Sequence, residues 1–406
     1  MRIAFLHRSL AGGGTEADLR RMASGLVARG HAVTVFCAKP RGAPEGVAVR
    51  RVPVVRAGRL LRLLSFALLA PRLAASEPWD VVVGFGRTLR QDVVRVGGGT
   101  HRSYLARMEA DGFRAAARGP YHRAILALER RMFAPGAYRR VLTVSALAAD
   151  EVVHDYAVPR ARVAVVYNGV DLVRFDPAAR ARLGPPLRAA LGIAADRRVC
   201  AAVGSGFVRK GFDLLLELWA TQAPPATVLV LVGDDERLGR WRRRAAAPEL
   251  AGRVVVTGPR ADVEAVYALA DAVCVPSRQE AFGNVVLEAC AAGVPVVTTR
   301  RAGAAELLDG PLATLVVASP DDRAVSPRPW RALGPERAGP RRRGAPARRD
   351  AHLGHARGGG GAGARGGGAC ARLTRRRSCT GRCAPGSHRA SGSRTRSGPT
   401  AIRTGC

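Results

Sequence analysis

Two doubly wound α/β domains in tandem, each a parallel sheet covered by helices, are predicted by three observations. Short apolar strands alternate with helical stretches from the first residues to about 320, the alternation lapses between 172 and 196, and it then starts again. The strands are apolar on both faces, which suits a parallel sheet sheltered by helices. In such sheets a ligand is expected in the crevice at the strand carboxyl ends.

The first strand is "RIAFL", followed by the loop "AGGGTEAD", a helical run through "LRRMASGLVARG" and the strand "HAVTVFC", which together make a βαβ unit. Residues 56–76, "RAGRLLRLLSFALLAPRLAAS", read as an amphipathic helix interrupted by Pro71. Its arginines and leucines would also suit the surface of an anionic bilayer. No run of eighteen apolar residues occurs, so no transmembrane helix is expected. The opening "MRIAFLHRSL" runs straight into glycines, so no signal peptide is expected either. The strands "WDVVVGFG", "QDVVRVGGG", "RRVLTVS" and "VAVVYNGVD" complete a first domain over 1–171. Residues 172–196 carry three prolines and read as a linker or hinge. "RRVCAAVGS", "ATVLVLVG", "GRVVVTG", "DAVCVPS", "GVPVVTT" and "LATLVVA" are the strands of a second domain over 197–320.

A formal charge of +33 ordinarily points to nucleic acid or an anionic membrane. Here it is unevenly placed: residues 321–406 carry 20 Arg against 4 acids, leaving 45 basic and 28 acidic residues for the other 320. That Arg/Gly/Pro-rich tail lacks the apolar residues of a packed core and is expected to be disordered. A nucleic-acid-binding tail is the rival reading, but Trp330 is its one aromatic residue, so nucleic acid is not expected as a partner. Cys37, Cys200, Cys274 and Cys290 sit in apolar runs and read as reduced, buried thiols. Cys379 and Cys383 with His388 lack the second pair of a zinc site. With no Asp-x-Asp cluster as well, no metal is expected.

Three motifs carry chemistry. Gly12, Gly13 and Gly14 follow the first strand without the G-x-G-x-x-G spacing, which weakens a dinucleotide-dependent dehydrogenase. They suit either a tight turn or close approach of a ligand to a helix N-terminus. In "GSGFVRKGFDLL" no Walker loop is spelt, yet Arg209 and Lys210 precede a helix and suit a diphosphate. Lys210 is notable in a chain with 63 Arg and two Lys. Finally, "SRQEAFGNVVLEACAAGVPVV" places Glu280 in a loop and Glu288 on the first turns of a helix opening at Gly283 and Asn284. Both carboxylates can face one crevice and accept sugar or ribose hydroxyls.

The Glu280-x7-Glu288 element, "VGSGFVRKG", "YNGVDLVRF" and the Gly-rich first turn together resemble the retaining glycosyltransferases of family 4. The similarity is greatest to the lipopolysaccharide-core glucosyltransferase branch and covers residues 1 to about 320. It implies the GT-B fold and transfer of a hexose from a UDP-sugar or other nucleoside-diphosphate sugar, with no cofactor. The implied acceptor is a lipopolysaccharide-core or other lipid-linked glycan at the inner face of the cytoplasmic membrane. Arg209 and Lys210 would stabilise the leaving diphosphate. Glu288 would hold the ribose, while Glu280 and the N–H groups of Phe282, Gly283 and Asn284 would hold the donor sugar. Gly13 and Gly14 would line the phosphate and acceptor side, Asp18, matching an acid of this branch's first helix, the acceptor side, and Arg260 would lie near the base. His101, in "GGGTHRSYL", sits where many members place a histidine near the reacting sugar; a structural hydrogen bond is the alternative.

One departure stands out. The family continues beyond "LATLVVA" with amphipathic helices, whereas here Arg/Gly/Pro sequence follows, which suggests a shift of reading frame near residue 323. An inactive remnant that still binds a sugar nucleotide is the corresponding alternative.

Overall fold

The computed structural model describes residues 1–10, 12–113 and 119–318. The tail beyond 318, with its expected disorder, frame shift and four cysteines, lies outside the described residues. Seven parallel strands form the first sheet: β1 (Arg2–Leu6), β2 (Ala32–Cys37), β3 (Ala48–Arg51), β4 (Val81–Gly84), β5 (Val93–Val96), β6 (Arg140–Thr143) and β7 (Val163–Val165). Their order is β3-β2-β1-β4-β5-β6-β7. Six more form the second sheet: β8 (Arg198–Val203), β9 (Thr227–Val232), β10 (Val254–Gly258), β11 (Ala272–Val275), β12 (Val296–Thr299) and β13 (Val316–Val317), in the order β10-β9-β8-β11-β12-β13. Each order reverses once, between β1 and β4 and between β8 and β11, and those reversals open the crevices in which such sheets bind ligands.

The two-face burial expected of a parallel sheet is visible on β1. Ile3 and Phe5 pack with Leu19 and Ala23 of α1 (Gly14–Val27), while Ala4 and Leu6 pack with Phe66 and Ala70 of α2 (Gly58–Ala74). A period of two on the strand thus serves one helix on each side. The second domain has one large core in which Trp219 and Tyr267 are fully buried. Val144 and Ala148 of the first domain belong to that same cluster, so apolar packing runs across the domain boundary.

Three segments differ from expectation. Residues 172–196, expected as a linker, include a helix, α6 (Arg180–Ala190), with Pro185 and Pro186 inside it. Tertiary packing overrides the missing donors: Gly184 lies so close to α9 (Val263–Leu269) that a Cβ would stand 2.8 Å from the Ala268 carbonyl. The strand β3 went unread because "AVRR" carries two exposed arginines, as an edge strand tolerates. Pro71 does not interrupt α2, which runs through it to Ala74.

Polar contacts join the domains beside the cleft. Asp111, at the end of α3 (His101–Ala110), accepts 2.8 Å bonds from Arg301 on both oxygens. Glu306 accepts from the Ala146 N–H at 2.8 Å, using a free donor at the start of α5 (Ala146–Tyr156). Ser145 Oγ donates to the Ala281 carbonyl at 2.6 Å.

Candidate active site

The carboxyl ends of both sheets face a cleft of about 790 Å³. Its walls include Gly12 to Gly14 and Asp18 after β1, Gly97, Gly98 and His101 after β5, Arg209 and Lys210 after β8, Arg260 after β10, and Gln279 to Asn284 with Glu288 after β11. All twelve residues singled out in the sequence therefore line one cavity: Gly13, Gly14, Asp18, His101, Arg209, Lys210, Arg260, Glu280, Phe282, Gly283, Asn284 and Glu288. Local structure explains the placing. Gly211 (φ +72°) precedes α7 (Phe212–Thr221), and a Cβ there would run into the Pro276 carbonyl, so the two loops meet backbone to backbone. Gly283 (φ +94°) turns the chain into α10 (Asn284–Ala291), with Glu288 one turn in.

The centre of the cleft is an ion triad. Glu280 accepts from Arg209 Nη1 at 3.0 Å and from Lys210 Nζ on the same oxygen, Oε2. The Lys210 side chain is 8% exposed and that of Arg209 32%. Burial alone would raise the Glu280 carboxyl, but Lys210 and Arg209 hold it ionised, down at about 2. Burial pushes the Lys210 ammonium below its ordinary range, against the pull of Glu280. A carboxylate committed to two cations is a poor nucleophile, whereas the cations are placed to receive developing negative charge.

Glu288 is held by a residue the sequence reading missed. The fully buried Tyr267 donates to its Oε2 at 2.7 Å. Burial and the adjacent Glu288 charge push the phenol well above its ordinary range, so it stays a donor. One Glu288 oxygen is thereby fixed on the second domain's core.

Three expected residues are more committed than their positions suggested. Asp18 accepts from Arg95 Nε at 3.0 Å and is 7% exposed, so it is chiefly the counter-ion of a buried arginine. Arg95 also donates to the Val166 carbonyl and to Asn168 Oδ1, each at 2.8 Å, and Asn168 Nδ2 donates across the cleft to Asn284 Oδ1 at 2.8 Å. Arg260 forks onto Asp262 at 2.9 and 2.7 Å. The backbone N–H of His101 donates to Glu129, and its ring stacks on His122, with Nε2 2.9 Å from His122 Nδ1. Burial, with the charges of Arg87 and His122, lowers His101 to about 4, so the ring is neutral at ordinary pH. A signal for Arg95 was present in the sequence, as the one charge inside the apolar run "VVRV".

Among the described residues, no group of three or more His, Cys, Asp or Glu gathers in a way that could hold a metal ion.

Comparison with known proteins agrees with this architecture. Residues 12–174 match the family model described as Glycosyltransferase Family 4, and residues 197–326 match that described as Glycosyl transferases group 1. The lipopolysaccharide glucosyltransferase WaaG of Escherichia coli (strain K12) is 28% identical over 328 residues, which is 79% of this chain and 86% of that protein. A D-inositol 3-phosphate glycosyltransferase of Saccharomonospora viridis is 34% identical over 195 residues, 45% of this chain and 44% of that one. Among solved structures, WaaG, a glycosyltransferase involved in lipopolysaccharide biosynthesis, superposes with a TM-score of 0.71 at 26% identity, covering 83% of this chain and 92% of that chain. Anabaena HepE, solved with UDP-glucose, shares the fold at a TM-score of 0.63 and 20% identity, covering 83% of this chain and 91% of that one.

Proposed function

Because the chain belongs to the family 4 glycosyltransferases and has their two-domain GT-B fold, we propose that it transfers a hexose such as glucose from a UDP-sugar to a lipopolysaccharide-core or other lipid-linked glycan, with retention at the anomeric carbon. The carrying observation is the pairing of Arg209 and Lys210 with Glu280 at the carboxyl ends of the second sheet, one helical turn from a Tyr267-anchored Glu288. The names of WaaG, a lipopolysaccharide glucosyltransferase, and of HepE, solved with UDP-glucose, support the acceptor class and the donor respectively.

In this reading the donor diphosphate lies against Arg209 and Lys210, and Glu288 accepts the ribose hydroxyls. The bond between the sugar C1 and the diphosphate oxygen breaks, and the acceptor oxygen attacks on the face the diphosphate leaves. The acceptor proton passes to the departing diphosphate. The two cations neutralise the charge that builds on the leaving group, and no metal or cofactor is required. Calorimetry tests the donor assignment: UDP and UDP-glucose should bind and NAD should not. Tighter binding of NAD than of UDP would overturn it.

A lipid-linked acceptor would put the enzyme at the inner face of the cytoplasmic membrane as a peripheral protein. No helix among the described residues is long and apolar enough to cross a membrane. The support for docking is α2, which exposes Leu61 by 48% and Leu68 by 42%, seven residues apart on one face, with the exposed Arg72 one turn beyond Leu68. The chain should float with phosphatidylglycerol vesicles at low salt, and Leu61→Glu with Leu68→Glu should stay at the bottom of the gradient. Failure of the parent chain to float would rule out this docking.

A further inference from the structure

Two smaller cavities, of about 250 and 270 Å³, continue from the donor cleft along the first domain. The nearer shares Thr15, Arg87, Gly97 and Gly98 with the cleft, and the farther shares Arg8, Glu16 and Tyr121 with the nearer, so the three form one groove. Its character changes along its length. The middle has an apolar wall that includes Leu63, Phe66 and Phe133. The far end gathers Arg8 after β1, Lys39 after β2, and Arg59 and Arg62 from the first turns of α2.

Glu16 is the one carboxylate among the residues lining the far end, and it is engaged by His7 Nε2 at 3.2 Å. The four cations form no ion pair among the described residues; Arg59 instead lies 5.0 Å over the Tyr121 ring. Four like charges around a small cavity repel one another until an anion enters, and guanidinium forks suit a phosphate. Lys39 is one of two lysines in an Arg-rich chain, and the other lies in the donor cleft. The middle of the groove has its own polar handle. Since an ionised Glu16 can only accept, His7 Nε2 donates to it, which leaves Nδ1 as the ring's second hydrogen-bonding atom. That Nδ1 is buried without a partner in the wall of the middle cavity.

We propose that this groove receives the acceptor and that the acceptor is an anionic, phosphate-bearing glycan, its phosphate held by Arg8, Lys39, Arg59 and Arg62 and a hydroxyl of its sugar held by His7 Nδ1. The assignment rests on the reading of the large cleft as the donor site, because it places the acceptor's reacting end at Thr15 and Gly97, where groove and cleft join. The anion recognised is a phosphate on a sugar, not a phospholipid headgroup.

Calorimetry on the full chain with saturating UDP tests it, using matched probes: glucose 6-phosphate against glucose, inositol 1-phosphate against inositol, inorganic phosphate alone, and phosphatidylglycerol vesicles. The phosphorylated sugars should bind about tenfold or more tightly than their bare parents and than inorganic phosphate. Lys39→Ala with Arg62→Ala should abolish the preference while UDP affinity and melting temperature stay unchanged. Equal binding of sugar and sugar phosphate would overturn the proposal. So would a preference that survives in the double variant, inorganic phosphate binding as tightly as the sugar phosphates, or binding confined to vesicles. Failure of UDP to bind would instead sink the donor reading, and the sugar phosphate preference would still be measured without UDP.

Discussion

Lys210→Ala should lower turnover by roughly 100-fold or more, the scale of a lost transition-state donor in a water-poor site. The ammonium is buried against Glu280, with Arg209 as the other cation of the triad, so its loss halves the positive charge available to the leaving diphosphate. Ground-state binding should suffer less, because the diphosphate gains its extra charge only as the bond breaks. Glu288→Ala provides the contrast. A carboxylate that accepts ribose hydroxyls acts on ground and transition states alike, so its removal should raise KM and weaken UDP binding with little change in kcat. Steady-state kinetics, with UDP affinity measured in parallel, separate the two. If both variants keep parental kinetics and UDP affinity while folded, the site is wrongly drawn.

Arg95→Ala should destabilise the protein by about 3–5 kcal/mol, as does removal of one partner of a buried ion pair. The Arg95 side chain is 1% exposed and donates to Asp18, Asn168 and the Thr143 and Val166 carbonyls. Its loss strands the Asp18 carboxylate and frees Asn168, which reaches across the cleft to Asn284. Thermal unfolding should show a melting temperature lower by roughly 10 °C. Adding Asp18→Asn to Arg95→Ala should recover part of the loss, because the stranded charge is then gone. A single-variant loss below about 1 kcal/mol, the range of an exposed pair, would mean that the network does not carry this part of the fold.

The sequence made much of this legible for a definite reason. Parallel strands buried on both faces leave unbroken apolar runs such as "ATVLVLVG", and a loop that must bring backbone close to a ligand leaves glycines and charges at a strand end, as in "GSGFVRKG". The family resemblance then supplied the roles. What stayed hidden depends on distant segments meeting. Glu280 as counter-ion to both cations needs residues seventy positions apart to touch, and the Tyr267–Glu288 bond needs a side chain of α9 to reach α10. The helix α6 was obscured because its prolines argue locally against it, and only the surface of α9 makes it worthwhile. Asp18 was legible as an acid in the first helix, but its partner, Arg95, lies four strands later, on β5.

The Glu280 arrangement means that the donor cleft keeps its own internal counter-ion. A diphosphate arriving at Arg209 and Lys210 exchanges one anion for another, and the one displaced is tethered to the protein. Few mobile ions are therefore released at that step, and donor affinity should respond weakly to dissolved salt. The groove beside Arg8, Lys39, Arg59 and Arg62 has no comparable occupant beyond Glu16, and its resting charge is neutralised by ions from solution. The two halves of one reaction then differ in their sensitivity to the medium: rising ionic strength would leave the enzyme charged with donor while starving it of acceptor.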